Sequence, residues 1–171
     1  KKNPEFYRNR SDFFGKDQIK IAGEELSFDK IEHGILRRSK MKISLGYLGK
    51  LFPAKWEKEL RVENVDWRIH FALNCGAKSC PPVAVYRVHK LNNQLDFMTE
   101  RFLKKTITYI EKENEAYVTT LFSWFRADFG GISEVKKILK SYKITPKEPE
   151  SLNFKDYNWE LFLDNYISIP N

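Results

Sequence analysis

Five side chains carry most of the chemical potential in this 171-residue sequence: Glu32, His33, His70, Cys75 and Cys80. A cysteine attacks as its thiolate, which needs a lowered pKa and an imidazole within hydrogen-bond reach. Both histidines precede the cysteines, an order also found in caspase-type sites, although the local signature of those enzymes is absent. One reading is therefore a thiol-dependent hydrolase or transferase, using Cys75 or Cys80 with His33 or His70 as base and Glu32 as a further candidate. A second is a zinc site of His33, His70, Cys75 and Cys80, although the C-x₄-C spacing is loose for a zinc knuckle. A third is that the cysteines are small buried hydrophobes and the histidines satisfied core groups, the whole being a non-catalytic binding or scaffolding domain.

The cysteines flank the loop Cys75-Gly76-Ala77-Lys78-Ser79-Cys80-Pro81-Pro82. Pro81 holds Cys80 extended, which fits a structural residue better than a reactive one. We expect the two cysteines to sit in different environments, at most one of them accessible, and His33 and His70 to approach the loop. A short-loop disulfide is the contrary outcome and would point to export. No Walker loop, dinucleotide glycine fingerprint, Gly-x-Ser-x-Gly elbow or His-Glu-x-x-His motif occurs, so no cofactor is expected.

The elements that must position these residues can be read from periodicity. Ile19 and Ile21, then Leu26, surround Gly23-Glu24 and predict a hairpin at about 18–26. Ser27 is placed to cap a helix over 28–37, with Phe28, Ile31 and Ile35 on its buried face. Glu32 then lies on the flank of that helix. His33 lies nearly opposite the buried face, four residues from Asp29 and able to pair with it. Alternation of Ile69, Phe71 and Leu73 with His70, Ala72 and Asn74 predicts a strand ending at Cys75. The 3-4-3-4 spacing of Val88, Leu91, Leu95, Met98 and Phe102 predicts a helix over 88–105. A hairpin is expected from 107–111 and 116–120, a short helix in 121–129, and a helix over 132–142 after Gly130-Gly131. The aromatic end, 154–169, should pack back. The sum is α+β, a single domain of short strands and hairpins packed against several helices.

Composition sets the outer limits. With 42% hydrophobic and 31% charged residues the chain is globular, not fibrous or disordered. Lys and Arg number 30 against 23 Asp and Glu, a net charge of +7, and residues 1–61 carry most of the excess. The densest run is Arg37-Arg38-Ser39-Lys40-Met41-Lys42. Such a patch can attract nucleic acid, anionic lipid or an acidic partner, but no nucleic-acid motif accompanies it, so a solvated face is the expectation. No segment is apolar enough to span a bilayer. Lys1-Lys2-Asn3-Pro4-Glu5 lack the apolar core of a signal peptide, and the compartment is left open.

Two blocks carry a resemblance: residues 26–37, containing Ile31-Glu32-His33-Gly34-Ile35-Leu36-Arg37, and residues 68–82, containing His70-Phe71-Ala72-Leu73-Asn74-Cys75-Gly76-Ala77-Lys78-Ser79-Cys80-Pro81-Pro82. Residues 121–129 and Asp156-Tyr157-Asn158-Trp159 agree. Over about 14–160 the chain resembles a family of domains of unknown function found in bacteria, animals and plants. Its plant members carry the domain after a leucine-zipper segment and are labelled ternary-complex factors. The resemblance implies no settled activity. It places Glu32, His33, His70, Cys75 and Cys80 at motif positions. It also implies an upstream helical segment with an Asn-rich block, absent here, so the expected partner is either a protein or that missing segment, docked in an apolar groove beside Glu32 and His33.

Overall fold

The computed structural model describes residues 4–170, with side chains from Arg8 onward; Lys1-Lys2-Asn3, which begin the stretch lacking a signal-peptide core, lie outside the described residues. The fold is α+β, as expected, and the chain divides into two compact units, one up to Asp66 and one from Trp67 on.

The first unit opens with helix α1, Pro4–Gly15, which periodicity alone does not predict. Phe14 carries its main signal: it packs on Phe13 and Phe28 and receives the Arg10 guanidinium over its ring. Strands β1 (Ile19–Ile21) and β2 (Glu24–Leu26) form the expected hairpin. Its two-residue turn needs a positive φ at Ala22 and Gly23, the geometry that matches strand twist.

Ser27 caps the next element as expected: its Oγ accepts the Lys30 N–H and its carbonyl the Ile31 N–H. The capped element is not the α-helix the spacing implied. Lys30–Leu36 is a π-helix, in which Arg37 N–H bonds the Glu32 carbonyl and Ser39 N–H that of Gly34, each five residues back. Wider turns redistribute the faces. Phe28 is left partly exposed, while Gly34 and Arg37 become the buried positions. The short helix α2, Lys55–Leu60, packs where Gly34 lacks a side chain. Between them, residues 40–52 form a loop closed by the Lys40–Gly49 bridge.

In the second unit the expected strand at 69–74 is instead a 3-10 turn, Trp67–Phe71. Ile69, His70 and Phe71 are all buried, so the alternation did not mark an inner and an outer face. Arg68 ties the turn to helix α3 (Leu91–Thr106) through Asn92 and Asp96. Helix α3 buries Leu95, Met98 and Phe102 as the spacing requires, but its first turn does not: Val88 belongs to a separate exposed 3-10 turn. Strands β3 (Thr108–Ile110) and β4 (Glu115–Val118) make the expected hairpin, closed by Asn114 at φ 50°. Helices α4 (Leu121–Trp124) and α5 (Ile132–Ser141) flank Gly130 and Gly131. Strand β5 (Ser151–Phe154), absent from the sequence reading, adds in parallel to β4.

The core of this unit is largely aromatic. Phe71, Phe102, Phe122 and Phe129 pack with Leu103, Val118, Val135 and Leu139. Rings in such edge-to-face and offset contacts gain beyond their area, which is how many short elements hold together here.

Candidate functional site

Glu32 and His33 lie in the first unit, and His70, Cys75 and Cys80 in the second. In the first unit the π-helix carries Glu32 and His33, and Arg37 follows its last residue. His33 Nδ1 lies 2.7 Å from Arg37 Nη1, while Asp29, the partner expected for His33, holds Lys42. Arg37 is fully buried. Burial pushes the Glu32 carboxyl above its ordinary range, with Arg37 acting against that shift and Asp29 adding to it.

Across from the helix, Glu57 is 1% exposed and accepts the Lys50 ammonium at 2.5 Å and the Ala54 N–H at 2.8 Å. Gly34 is what admits it. A Cβ there would stand 2.7 Å from Trp56 Cη2 and 3.0 Å from Glu57 Oε1. Lys50, Trp56 and Glu57 do not stand out in the sequence; the only available signal was the glycine inside a helical pattern.

In the second unit His70 Nε2 lies 2.9 Å from Asp128 Oδ2, with side chains 2% and 0% exposed. The imidazole stacks on Phe125 with ring centroids 3.9 Å apart and the ring planes nearly parallel. Asp128 and Phe125 come from the block at 121–129. The pair joins the 3-10 turn to the segment after α4 inside the aromatic core, an arrangement that fixes two elements.

The cysteine loop departs from expectation. Cys75 and Cys80 are joined by a disulfide, so two thiols of different character are replaced by one bond. Cys80 is buried and its Sγ receives the Cys75 N–H at 3.0 Å. The hydroxyl facing both sulfurs belongs to Tyr157, 3.2 Å from Cys80 Sγ and 3.6 Å from Cys75 Sγ. The zinc set is not assembled: both sulfurs are consumed in the bond, and among the described residues no three of His, Cys, Asp or Glu are grouped to hold a metal ion.

The chain end laces onto this loop, as its aromatic content suggested. Lys78 N–H bonds the Glu160 carbonyl, Phe162 N–H the Gly76 carbonyl and Val83 N–H the Asn165 carbonyl, while Asn165 Nδ2 donates to the Cys80 carbonyl. Tyr157, Trp159 and Trp124 stack beside it.

Between loop, chain end and α3 lies a cleft of about 380 Å³, within the size range of small-ligand sites. Its wall includes Cys80 and Tyr157, and Met98 and Phe102 supply apolar surface. Lys78, Arg101, Lys105 and Lys155 line it against one carboxylate, Asp156. Lys78 also meets Glu160 at the surface, and the Lys155 ammonium donates to Thr106 O and Thr108 Oγ1. Arg101 and Lys105, one helical turn apart on α3, are exposed. Sequence reasoning placed Met98 and Phe102 on a helix face but missed these cations, because the cleft is completed by separate segments, the cysteine loop, Thr119-Thr120 and the chain end from Lys155 on.

Residues 1–103 match the model of a family described as a protein of unknown function, DUF547. No curated protein and no solved structure matches the chain.

Proposed function

The chain belongs to the DUF547 family of proteins of unknown function, and from that premise we propose that it is a non-catalytic binding domain whose cleft at the cysteine loop takes a small anionic ligand, a carboxylate or phosphate. The carrying observation is the disulfide in the cleft wall. Cys80 is bonded to Cys75 and faced by Tyr157, so it stabilises the loop instead of presenting a thiolate. Four cations against one carboxylate give the cleft a positive field, and Met98 and Phe102 would exclude water from the ligand's apolar part. On this reading His70 is a structural residue held by Asp128, and Glu32 and His33 serve the packing of the first unit. Disulfides persist in oxidising compartments, so an exported protein goes with the reading.

The second reading is a thiol-dependent hydrolase or transferase acting through Cys75 or Cys80, with His33, His70 or Glu32 as candidate bases. One observation favours it: Cys80 lines the cleft, so reduction would release a thiol beside a bound ligand. Thiol-reactivity profiling separates the two. The binding reading expects no labelling of the native chain without reductant and an intact mass about two hydrogens below the dithiol, one for each thiol joined in the bridge. Rapid labelling of one cysteine in the native chain, abolished by Cys75→Ala or Cys80→Ala, would favour the enzyme.

A further inference from the structure

The loop between the π-helix and α2 exposes apolar side chains that a soluble surface does not call for. Leu51 is 88% and Phe52 93% exposed, and Ile43, Tyr47 and Leu48 are each more than half exposed. A scattered exposed leucine needs no explanation, whereas five within ten residues form a patch. The loop's backbone is also largely satisfied. Met41 N–H bonds the Leu48 carbonyl, Lys50 N–H the Ser39 carbonyl, and Leu48 N–H the Ser44 hydroxyl.

The charged residues of the stretch itself have one sign. No acidic residue lies between Glu32 and Glu57, while Arg38, Lys40, Lys42, Lys50 and Lys55 all do. Lys42 reaches Asp29, Lys50 reaches Glu57 and Lys55 reaches Glu59, all three carboxylates outside the stretch. Arg38 is exposed. An apolar tip collared by cations matches an anionic bilayer surface, where the tip enters the interface and the long basic side chains reach headgroup phosphates. Protein interfaces are depleted in lysine, and single-stranded nucleic acid has no use for exposed Ile43, Leu48 and Leu51 beside the aromatic rings.

We propose that residues 38–55 form a membrane-docking loop that binds anionic lipid bilayers peripherally, inserting Leu51 and Phe52. This does not rest on the ligand cleft of the second unit.

Co-sedimentation with vesicles tests it, using the 171-residue chain with phosphatidylcholine alone and with phosphatidylcholine containing about 30% phosphatidylserine, a mixture chosen to approximate an anionic leaflet. Binding is expected to the anionic vesicles, weakened by added salt and roughly fivefold by Arg38→Gln or Lys42→Gln. Leu51→Ser/Phe52→Ser should weaken it at least tenfold without lowering the melting temperature, because both side chains stand in water. The emission of Phe52→Trp should shift to the blue on the same vesicles. No binding, equal binding to neutral vesicles, or undiminished binding by Leu51→Ser/Phe52→Ser would overturn the proposal. So would a dimer that Leu51→Ser/Phe52→Ser dissociates in the absence of vesicle binding, which would assign the patch to a second copy. Tighter binding to a single-stranded oligonucleotide than to anionic vesicles would overturn it in favour of nucleic acid.

Discussion

Gly34→Ala should destabilise the first unit, against the direction that helix propensity predicts. In a solvated helix Ala is favoured over Gly by about 1 kcal/mol. Here the added methyl carbon would stand 2.7 Å from Trp56 Cη2, 3.1 Å from Trp56 Cζ3 and 3.0 Å from Glu57 Oε1. The ring must retreat or α2 must move away. Overfilling a packed contact in this way costs about 1–3 kcal/mol. Glu57 cannot retreat freely, because its two oxygens are held by Lys50 and by the Ala54 N–H. Weakening a buried charged hydrogen bond adds about 1.5–3 kcal/mol. Set against the propensity gain, the net loss is about 1.5–5 kcal/mol. Urea denaturation read by tryptophan fluorescence would show it as a lower midpoint at unchanged slope. Trp56→Phe removes the two ring atoms that clash, so the double variant should lose less than the sum of the single variants. A Gly34→Ala chain as stable as the parent, or an additive double variant, would refute the close packing of the π-helix on α2.

The geometry leads to three further expected outcomes. Reducing Cys75–Cys80, or replacing both by alanine, opens a loop closed over a separation of five residues, and should lower stability by about 2 kcal/mol on loop-entropy grounds, seen in melts with and without reductant. His70→Ala leaves Asp128 buried without its imidazole and should cost about 3–5 kcal/mol, whereas loss of less than about 1 kcal/mol in a urea titration would contradict the buried pair. The Glu32 carboxyl has a raised pKa in the folded chain, so the folded state binds its proton more tightly than the unfolded one; the associated stability is present below the ordinary carboxylate pKa and is lost as pH rises through the folded value. Glu32→Gln should therefore be more stabilising near pH ~7 than near pH ~4, and thermal melts giving a pH-independent difference would contradict this.

Elements set by local chemistry were legible in the sequence, while those set by partners far along the chain were not. The β1–β2 hairpin, the Ser27 cap and the apolar face of α3 each follow from residues within a few positions, and all three are present. The π-helix was missed because Phe28, Ile31 and Ile35 fit an α period, whereas its register is set by Gly34 against Trp56 and Glu57. The 69–74 strand was a misreading of the same kind. Its alternation is real, but His70 is drawn inward by Asp128, fifty-eight residues later, so both faces are buried. For the candidate site, the Cys75–Cys80 loop stands out in the sequence by its residue types alone. Its cleft depends on Tyr157, Asn165 and the chain-end pairing, which no spacing near residue 80 encodes.

Calorimetric titration of the oxidised chain with inorganic phosphate and with citrate tests the binding account most directly. Arg101 and Lys105 stand exposed on the cleft wall, so replacing them disturbs the field without disturbing the core. The account predicts saturable binding of one of the two anions, weakened at least tenfold in Arg101→Gln/Lys105→Gln and by rising salt, at an unchanged melting temperature. Absence of binding by either anion, or binding that Arg101→Gln/Lys105→Gln leaves intact, would contradict it.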